Sequence, residues 1–258
     1  MPVKVVVCGA GGRMGARIIE LGLRDAEIKI VGAIESPEHP RMGDAVAEVR
    51  ITDSLEAVIG GADVVVDFTT ARATVANASA AAKAGKALVI GTTGFEADEV
   101  AVLRQKIAAV PCVFTPNMSV GVNILFKMAE LVAKALPGLE VEIIEAHHSG
   151  KTDAPSGTAN KLAQIIASAL KRNIAAVATY GRRGMARRKP EEIGIHAVRM
   201  GDVVGEHTVI FAGSGERLEL VHRATSRDTF VLGALRAAKW VVGKPPGLYD
   251  MADVLGLK

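Results

Sequence analysis

The strongest constraint on the fold is an alternation of buried-strand and helix patterns along the first 117 residues. The chain opens with VKVVVCGA, a continuous β-branched run that is typical of a strand buried on both faces. A glycine pair then leads into RMGARIIELGLR, whose apolar residues have helical spacing. Further strand patterns, each separated from the next by a connecting segment, are IKIVGAIE, ADVVVDFT, KALVIGTTG and PCVFTPN. Repeated units of this kind predict an α/β fold with a Rossmann-like, doubly wound parallel sheet, whose ligands bind at the carboxyl ends of the strands.

The pattern changes after Asn117. NMSVGVNILFKMAELVAKAL predicts one long helix, LEVEIIEAHH a strand, and TANKLAQIIASALK a helix that Ser156 or Thr158 would cap. Several strand patterns follow from Gly194 onward, separated by short glycine-rich turns. These elements predict a second α+β domain with an open mixed sheet. The tail DTFVLGALRAAKWVVGK has a helix pattern that would pack against either domain.

Composition favours an ordinary folded protein and argues against several classes of partner. Hydrophobic residues make up 49% of the chain, aromatic residues only 3%, and the formal net charge is +3. Few aromatic residues disfavour base stacking, and so small a charge predicts neither a nucleic-acid nor a membrane partner. No apolar run approaches membrane-spanning length, and the chain starts directly in a strand pattern without a signal peptide. We therefore expect a cytoplasmic protein.

Two further features of composition bear on function. Cys8 and Cys112 each lie in an apolar run, where a free cysteine behaves as a small hydrophobe. No spacing indicates a disulfide framework or a metal site. The basic cluster GRRGMARRKP, residues 181–190, is either a solvated, mobile loop or a flap that closes over an anionic cofactor or substrate. The sequence favours the solvated loop.

A glycine-rich turn, GAGGRMG from Gly9 to Gly15, joins the first strand to the first helix. A dinucleotide pyrophosphate at this position would meet helix N–H groups and the positive end of the helix dipole. The spacing is one residue longer than G-x-G-x-x-G, because residue 14 is Met14 and the third glycine falls at Gly15. Later strands end in DFTT (67–70) and GTTG (91–94), which would line the same crevice or serve only as turns. The flanking strands and helix favour a dinucleotide site over a glycine-rich turn without a ligand.

The second strand bears on the choice of cofactor. It ends at Glu35, about twenty residues past the last glycine, where an acid binds a ribose hydroxyl. Ser36 follows, whereas an arginine is usual near the additional phosphate of NADPH. The other arginines within possible reach are Arg13 and Arg41. We therefore expect NADH to be accepted at least as well as NADPH.

The segment EAHHSGKTDAPSGT, Glu145 to Thr158, combines two adjacent histidines with a lysine and a helix start. His147 and His148 would point to opposite faces of a strand end, and the turn after them would bring Lys151 back toward His147. A neutral histidine beside an ammonium group suits proton transfer, and the helix start suits a carboxylate. The alternative is a polar junction with a capping residue. With a dinucleotide domain upstream, the sequence favours a site for a small anionic substrate with more than one carboxylate.

The remaining histidines carry weaker signals. His196, His207 and His222 lie in strand patterns and are expected to be structural, while His39 lies in a loop flanked by prolines.

Taken in order, these motifs resemble the 4-hydroxy-tetrahydrodipicolinate reductase family, also called dihydrodipicolinate reductase, of lysine and diaminopimelate biosynthesis. The resemblance rests on GAGGRMG, DFT, GTTGF, NMSVGVN, EIIEAHHSGKTDAPSGTA, GDVVGEHT and GERLELVHRATSR, which span nearly the whole chain. It implies reduction of 4-hydroxy-tetrahydrodipicolinate to tetrahydrodipicolinate by NADH or NADPH. It also implies a homotetramer joined through the sheet of the substrate domain, and a tail helix that returns to the cofactor domain.

The resemblance further implies roles for individual residues. His147 would protonate the substrate after hydride transfer, and Lys151 would hold and polarise it. Substrate carboxylates would be bound by His148, Gly157 and Thr158. The residues that would line the cofactor are Gly9, Ala10, Gly11, Gly12, Arg13, Met14, Glu35, Gly91, Thr92, Thr93, Thr115, Pro116, Asn117 and Met118.

Residues 1–118, joined by 229–258, would form the dinucleotide-binding domain, and residues 119–228 the substrate-binding and oligomerisation domain. Because cofactor and acid lie on different domains, we expect the domains to close over the substrate.

Two departures from the family's common pattern stand out. Ser36 stands where several members of the family have an arginine. Two positions that the resemblance places beside the nicotinamide also differ, because Ala and Phe are common there. These positions are Pro116 and Met118.

Two other functions stay open at this point. One is a different amino-acid-pathway dehydrogenase that uses NAD(P), which would ignore a pyridine-dicarboxylate analogue. The other is a non-catalytic, dinucleotide-sensing protein. Such a sensor would need no pair of His147 and Lys151, so the presence of that pair argues against it.

Overall fold

The computed structural model describes all 258 residues, Met1–Lys258, and the chain divides into two compact units. The first unit combines Met1–Val120 with Asp228–Lys258, and the second is Gly121–Arg227. None of the helices combines the length and the apolar character needed to cross a bilayer.

Strands and helices alternate along most of the chain. The strands are β1 (Val3–Cys8), β2 (Ile28–Ile34), β3 (Ala45–Val46), β4 (Val49–Thr52), β5 (Val64–Asp67), β6 (Ala87–Ile90), β7 (Pro111–Phe114), β8 (Glu140–His147), β9 (Ala178–Tyr180), β10 (Ile193–Arg199), β11 (Gly205–Ala212), β12 (Arg217–Ala224) and β13 (Gly247–Tyr249). The helices are α1 (Arg13–Gly22), α2 (Leu55–Val58), α3 (Ala71–Lys83), α4 (Ala97–Lys106), α5 (Val120–Ala135), α6 (Gly157–Ala169), α7 (Ile174–Val177), α8 (Asp228–Val241) and α9 (Met251–Leu255). A 3₁₀ turn, Ile59–Gly61, follows α2.

The first unit is built on an eight-stranded sheet of order β13-β7-β6-β5-β1-β2-β4-β3. Neighbouring strands are parallel except β3 and β4, which form a short antiparallel edge. The strand order reverses at β1, which lies between β2 and β5, and ligands bind at such a switch point in open sheets. The prediction of a Rossmann-like, doubly wound parallel sheet is confirmed.

The continuous apolar run of β1 follows from burial of both of its faces. Val5 and Val7 pack with residues of α1 and α8, whereas Val6 and Cys8 pack with residues of α3 and α4. All four side chains are fully buried, so a strand with alternating apolar and polar residues would place polar groups in the core. Cys112 is buried in the same way, and burial raises the pKa of both thiols.

The tail of the chain completes the first unit. α8 lies against α1, where the guanidinium of Arg17 donates to both carboxylate oxygens of Asp228 at 2.7 and 2.6 Å. A side chain at Gly233 would place its Cβ 1.8 Å from the carbonyl oxygen of Met118, so the close approach of α8 depends on glycine. β13 then adds a parallel strand beside β7.

The second unit is built on a five-stranded sheet of order β12-β11-β8-β10-β9. β8, β10 and β9 run parallel, while β11 is antiparallel to both β8 and β12. The predicted open mixed sheet is therefore confirmed. The helix predicted from Asn117 begins only at Val120, because the Asn117 side chain accepts a hydrogen bond from the Ser119 N–H at 2.9 Å in a turn.

The two faces of this second sheet differ. α5 and α6 cover one face, and their apolar side chains pack with Val141, Ile143 and Val209. On the opposite face Ile144 and Val221 remain exposed. Of the two predicted catalytic residues, His147 is the last residue of β8, and Lys151 lies in the loop between β8 and α6.

Candidate functional site

The glycine turn after β1 brings backbone segments unusually close together. Gly9 has a φ of +84°, and a Cβ there would lie 2.7 Å from the carbonyl oxygen of Phe68. A Cβ at Gly15 would lie 2.0 Å from the carbonyl oxygen of Gly9, so glycine is needed for α1 to start at this turn. Gly12 precedes α1 without a side-chain cap, and no acidic residue lies in the first helical turn. The uncapped N–H groups and the helix dipole suit a phosphate.

Glu35 follows β2 and contacts this turn. Its carboxylate accepts hydrogen bonds from the N–H groups of Gly11 at 2.8 Å and Ser36 at 2.9 Å. The Ser36 hydroxyl donates to the carboxylate of Glu38 at 2.6 Å. The imidazole of His39 fills the space beside Gly11, with its nearest atom 2.3 Å from an ideal Cβ position. Two carboxylates and an imidazole therefore lie in the segment after β2, where the sequence predicts a ribose site.

Asp67, the last residue of β5, organises the neighbouring strand ends. Its carboxylate is fully buried and accepts hydrogen bonds from four side chains. They are those of Thr69, Thr74, Asn77 and Thr92, at distances from 2.6 to 3.2 Å. Thr92 also accepts a hydrogen bond from the Thr69 N–H at 3.1 Å. One carboxylate thus fixes the loop after β5 and the predicted cofactor segment after β6.

The segment after β7 is held by its own hydrogen bonds. The Thr115 hydroxyl donates to the carbonyl oxygen of Asn117 at 3.3 Å. The Met118 side chain is buried in the core of the first unit. The predicted cofactor residues lie in the segments that follow β1, β2, β6 and β7, and Arg13 and Met14 are the first residues of α1.

His147, the predicted proton donor, ends β8 beside a buried carboxylate. Glu145 lies two residues earlier, is fully buried, and places Oε2 at 2.6 Å from Nδ1 of His147. The guanidinium of Arg199 donates to both oxygens of Glu145, each at 2.8 Å. The Ser156 N–H donates to Oε1 of Glu145 at 3.0 Å. Both carboxylate oxygens therefore have charged or N–H partners.

His207 on β11 forms another wall of this site. Its ring lies edge-on to that of His147, with 5.3 Å between the ring centroids. Its Nε2 is 3.1 Å from Oγ of Ser156, and this hydroxyl also caps α6 by accepting from the Ala159 N–H at 3.2 Å. Ser156 is therefore the cap, rather than Thr158. His207, expected to be structural, contacts both His147 and the residue that caps α6.

Lys151 and the start of α6 lie in the loop that follows β8. The Lys151 N–H donates to the carbonyl oxygen of His148 at 3.1 Å, which closes the turn. The ammonium of Lys151 pairs with Asp153 at 2.7 Å. Gly157 and Thr158 follow the Ser156 cap as the first residues of α6. The predicted substrate residues Lys151, Gly157 and Thr158 therefore lie in the loop after β8 and in the first turn of α6.

Burial lowers the pKa of His147 below its ordinary value, because the buried imidazolium loses hydration. The hydrogen bond and charge of Glu145 oppose this shift, whereas the charges of Lys151 and Arg199 add to it. The lowered pKa favours the neutral imidazole and makes the protonated ring a stronger acid than a free histidine. Such a group can give one proton to a substrate and recover it from solvent.

We expect His207 to make the protein less stable in acid. Burial lowers the pKa of His207 to about 3, so the native state excludes a proton that the unfolded chain binds below pH 6.5. Stability from this group is present above pH 6.5 and is lost as the pH falls toward 3. Between pH 7.5 and 5 the loss should be about 2 kcal/mol. Urea unfolding at both pH values measures it, and the His207→Gln variant should lose less stability over the same range. Equal losses in both proteins would contradict the assignment.

The basic segment 181–190 is partly fixed to the second sheet. Arg182 pairs with Glu142 of β8 at 2.8 Å, and Arg188 pairs with the same carboxylate. Arg183 and Arg187 are exposed. Arg182 and Arg188 therefore attach the segment to the second sheet, and the prediction of a solvated, mobile loop did not include these two ion pairs.

Two family models together cover almost the whole chain. One, described as the N-terminus of dihydrodipicolinate reductase, matches residues 3–118, and one for its C-terminus matches residues 121–255. The chain belongs to the dihydrodipicolinate reductase family. The 4-hydroxy-tetrahydrodipicolinate reductase of Geotalea daltonii is 50% identical, with 99% of this chain and 100% of the relative covered. That of Aquifex aeolicus is 49% identical, with 100% of both chains covered.

A solved structure agrees with this assignment. The dihydrodipicolinate reductase of Paenisporosarcina sp. TG-14, determined with dipicolinate bound, has a TM-score of 0.81 and 25% identity. The match covers 98% of this chain and 99% of that chain. Dihydrodipicolinate reductases are oxidoreductases that use NAD(P)H in lysine and diaminopimelate biosynthesis. The predicted family and enzyme class are confirmed, and the comparisons favour them over another dehydrogenase or a sensor.

Proposed function

We propose that the chain reduces 4-hydroxy-tetrahydrodipicolinate to tetrahydrodipicolinate with NADH or NADPH. The substrate loses its hydroxyl group as water and gains a hydride and a proton. The cluster of His147, Glu145 and Lys151 carries the proposal, because it combines a proton donor with a cation beside a helix start. The names of the full-length relatives support the same reaction.

Each residue of the second unit would have a distinct role. His147 donates the proton, because its pKa and its buried carboxylate partner suit proton transfer. Lys151 holds and polarises the substrate through its ammonium group. His148 and the N–H groups of Gly157 and Thr158 bind the two carboxylates at the start of α6. Fixed donors of this kind position the ring before reaction and avoid the cost of reorganising water.

The first unit fits a nicotinamide dinucleotide. Four of the seven residues from Gly9 to Gly15 are glycines, which lets the backbone approach phosphates closely, and α1 begins without a side-chain cap. Glu35 would bind a ribose hydroxyl in exchange for the Gly11 N–H that it now accepts. The segments that end β6 and β7 would line the nicotinamide end. When bound, the cofactor supplies the hydride.

We propose that NADH is accepted at least as well as NADPH. Glu35 and Glu38 flank Ser36, and a hydrogen bond from Ser36 lowers the pKa of Glu38, which keeps this carboxylate ionised. Two negative charges would repel the additional phosphate of NADPH. Arg41 is already paired with Asp44 at 3.2 Å.

The Ser36→Arg variant should shift this preference toward NADPH. A guanidinium would bind the 2′-phosphate, and a charge-assisted hydrogen bond of about 1.5 kcal/mol corresponds to roughly tenfold in kcat/KM. The measurement is the ratio of kcat/KM for NADPH to that for NADH. The Ser36→Gln variant, which adds length without charge, should leave the ratio within about threefold of the original. If the ratio of kcat/KM values were unchanged in Ser36→Arg, the 2′ position of the adenosine ribose would not lie beside residue 36.

The test of the reaction itself is cofactor oxidation by the purified protein. The substrate would be generated in place from pyruvate and aspartate semialdehyde by the preceding synthase. NADH and NADPH would be compared, each with and without pyridine-2,6-dicarboxylate. We expect oxidation that requires the synthase and is inhibited by the dicarboxylate. Folded protein that binds NADH but oxidises neither cofactor would refute the proposal.

We further propose that the first unit binds the dinucleotide, while the second binds the substrate and joins four chains into a homotetramer. The sheet face away from α5 and α6 exposes Ile144 and Val221, and exposed apolar surface of this kind marks protein contacts. Light scattering of the purified protein should give the mass of four chains, and a monomer mass would contradict this. The cytoplasmic location stays a prediction.

A further inference from the structure

Glu145 and His147 face the same side of β8, because side chains two residues apart on a strand share a face. The carboxylate of Glu145 is fully buried and contacts Nδ1 of His147 at 2.6 Å. A buried carboxylate without water is stable as an ion only when other groups supply its hydrogen bonds.

Three donors meet that requirement. Arg199 of β10 gives two hydrogen bonds at 2.8 Å, and the Ser156 N–H gives one at 3.0 Å. Burial alone would raise the pKa of Glu145, but the hydrogen bonds from Arg199, His147 and Ser156 lower it overall. Glu145 is therefore an anion at neutral pH, and an anion can only accept from Nδ1 of His147.

That arrangement selects one nitrogen of His147 for chemistry. With Nδ1–H donating to Glu145, the proton that is gained and lost is on Nε2. A Cβ at Gly205 would lie only 3.0 Å from Nε2, so the glycine leaves space at this nitrogen. Glu145 therefore fixes the ring at Nδ1, and the absence of a side chain at Gly205 leaves room beside Nε2.

Arg199 extends the same contacts to the substrate loop. Besides Glu145, it donates to the carbonyl oxygen of Asp153 at 2.6 Å. The side chain of Asp153 pairs with Lys151. One guanidinium thus connects the carboxylate beside the acid to the loop that carries the lysine.

We propose that Glu145 is a positioning residue that orients His147 and sets its protonation, and that Arg199 holds Glu145 in place. This inference rests on the proposed role of His147 as proton donor. The charged or titratable groups that face His147 are Glu145, Lys151, Arg199 and His207. Among them only Glu145 favours the imidazolium.

The test replaces Glu145 with glutamine in the full-length protein. Loss of the anion should lower the pKa of His147 and move the descending limb of the kcat/KM profile to lower pH. The value of kcat should fall about 100-fold, between the effects of outer partners on metal-bound histidines and of a triad carboxylate. KM for the cofactor should change little. The His147 pKa would be measured by NMR, with the signal assigned by its absence in His147→Gln.

A second variant covers the case in which Glu145→Gln does not fold. Glu145→Asp keeps the charge and a partner for Arg199, but withdraws the carboxylate from Nδ1. The pKa of His147 should fall less in Glu145→Asp than in Glu145→Gln, and kcat should still decrease. A merely structural role would instead lower stability and leave both pH measurements unchanged.

Glu142 of β8 provides the matched control. It also accepts from a histidine, His196, at 2.7 Å and pairs with arginines, but it lies on the opposite face of the strand. Glu142→Gln should leave the pKa of His147 and the rate profile unchanged.

The outcomes separate the inference from the proposed function. A lowered His147 pKa with a matching shift in the rate profile supports both. An unchanged pKa in Glu145→Gln overturns the inference but not the function. A lowered pKa with an unchanged profile overturns the positioning role, because His147 would then not be the acid that limits the rate.

Discussion

The His147→Gln variant should lose about 10²- to 10⁴-fold in kcat, because general acid catalysis contributes on this scale. Glutamine keeps a polar side chain of similar length but cannot supply the imidazolium proton. NADH binding should change little, since the predicted cofactor residues lie in the first unit and His147 in the second. Steady-state kinetics and a fluorescence titration with NADH measure the two quantities.

His196→Gln is the appropriate comparison for this variant. His196 also lies on the second sheet and also contacts a glutamate, at 2.7 Å, but it lies on β10 and pairs with Glu142. Its substitution should leave kcat within about threefold, as is usual for partly exposed polar side chains outside a site. If His147→Gln kept most of the original kcat, the proton would have to come from another group.

The Gly15→Ala variant should bind NADH very weakly and unfold more easily. Its Cβ would lie 2.0 Å from the carbonyl oxygen of Gly9, so α1 or the phosphate turn must move. We expect the free energy of unfolding to fall by about 3 kcal/mol, the upper range for overpacking. Chemical denaturation and an NADH titration of the folded fraction measure the two effects.

Gly60→Ala tests whether any glycine substitution would do the same. No atom lies within 4 Å of a Cβ at Gly60, and its φ is not positive. This variant should keep the original stability within about 0.5 kcal/mol, as surface substitutions usually do. Unaltered NADH affinity in Gly15→Ala would show that the turn does not hold the phosphates.

The fold was largely predictable because the pattern of apolar residues along the sequence follows which faces of each strand and helix are buried. β1 is apolar at consecutive positions since both of its faces pack against helices, and the glycine turn marks where α1 starts. The short strands were harder to predict. β3 has two residues and β13 has three, and segments this short cannot show the alternation of apolar and polar residues that predicts a strand.

The site was predictable only where its residues are close in sequence. His147, Lys151 and the α6 start lie within one segment, so their spacing indicated a common site. Arg199 and His207 were not identified, because strand pairing across more than 50 residues brings them to Glu145. Glu145 itself could have been found, since a polar residue two positions before His147 must share its face.

The return of the tail to the first unit has a consequence for synthesis. When Val120 leaves the ribosome, the sheet still lacks α8 and β13, so apolar side chains of β1 remain uncovered. At about 5–20 residues per second, translation of Gly121–Arg227 takes roughly 5 to 20 s. The second unit is continuous in sequence, so we expect it to fold as soon as it is synthesised. We therefore expect the nascent first unit to be more prone to aggregation than the second unit until the tail is synthesised.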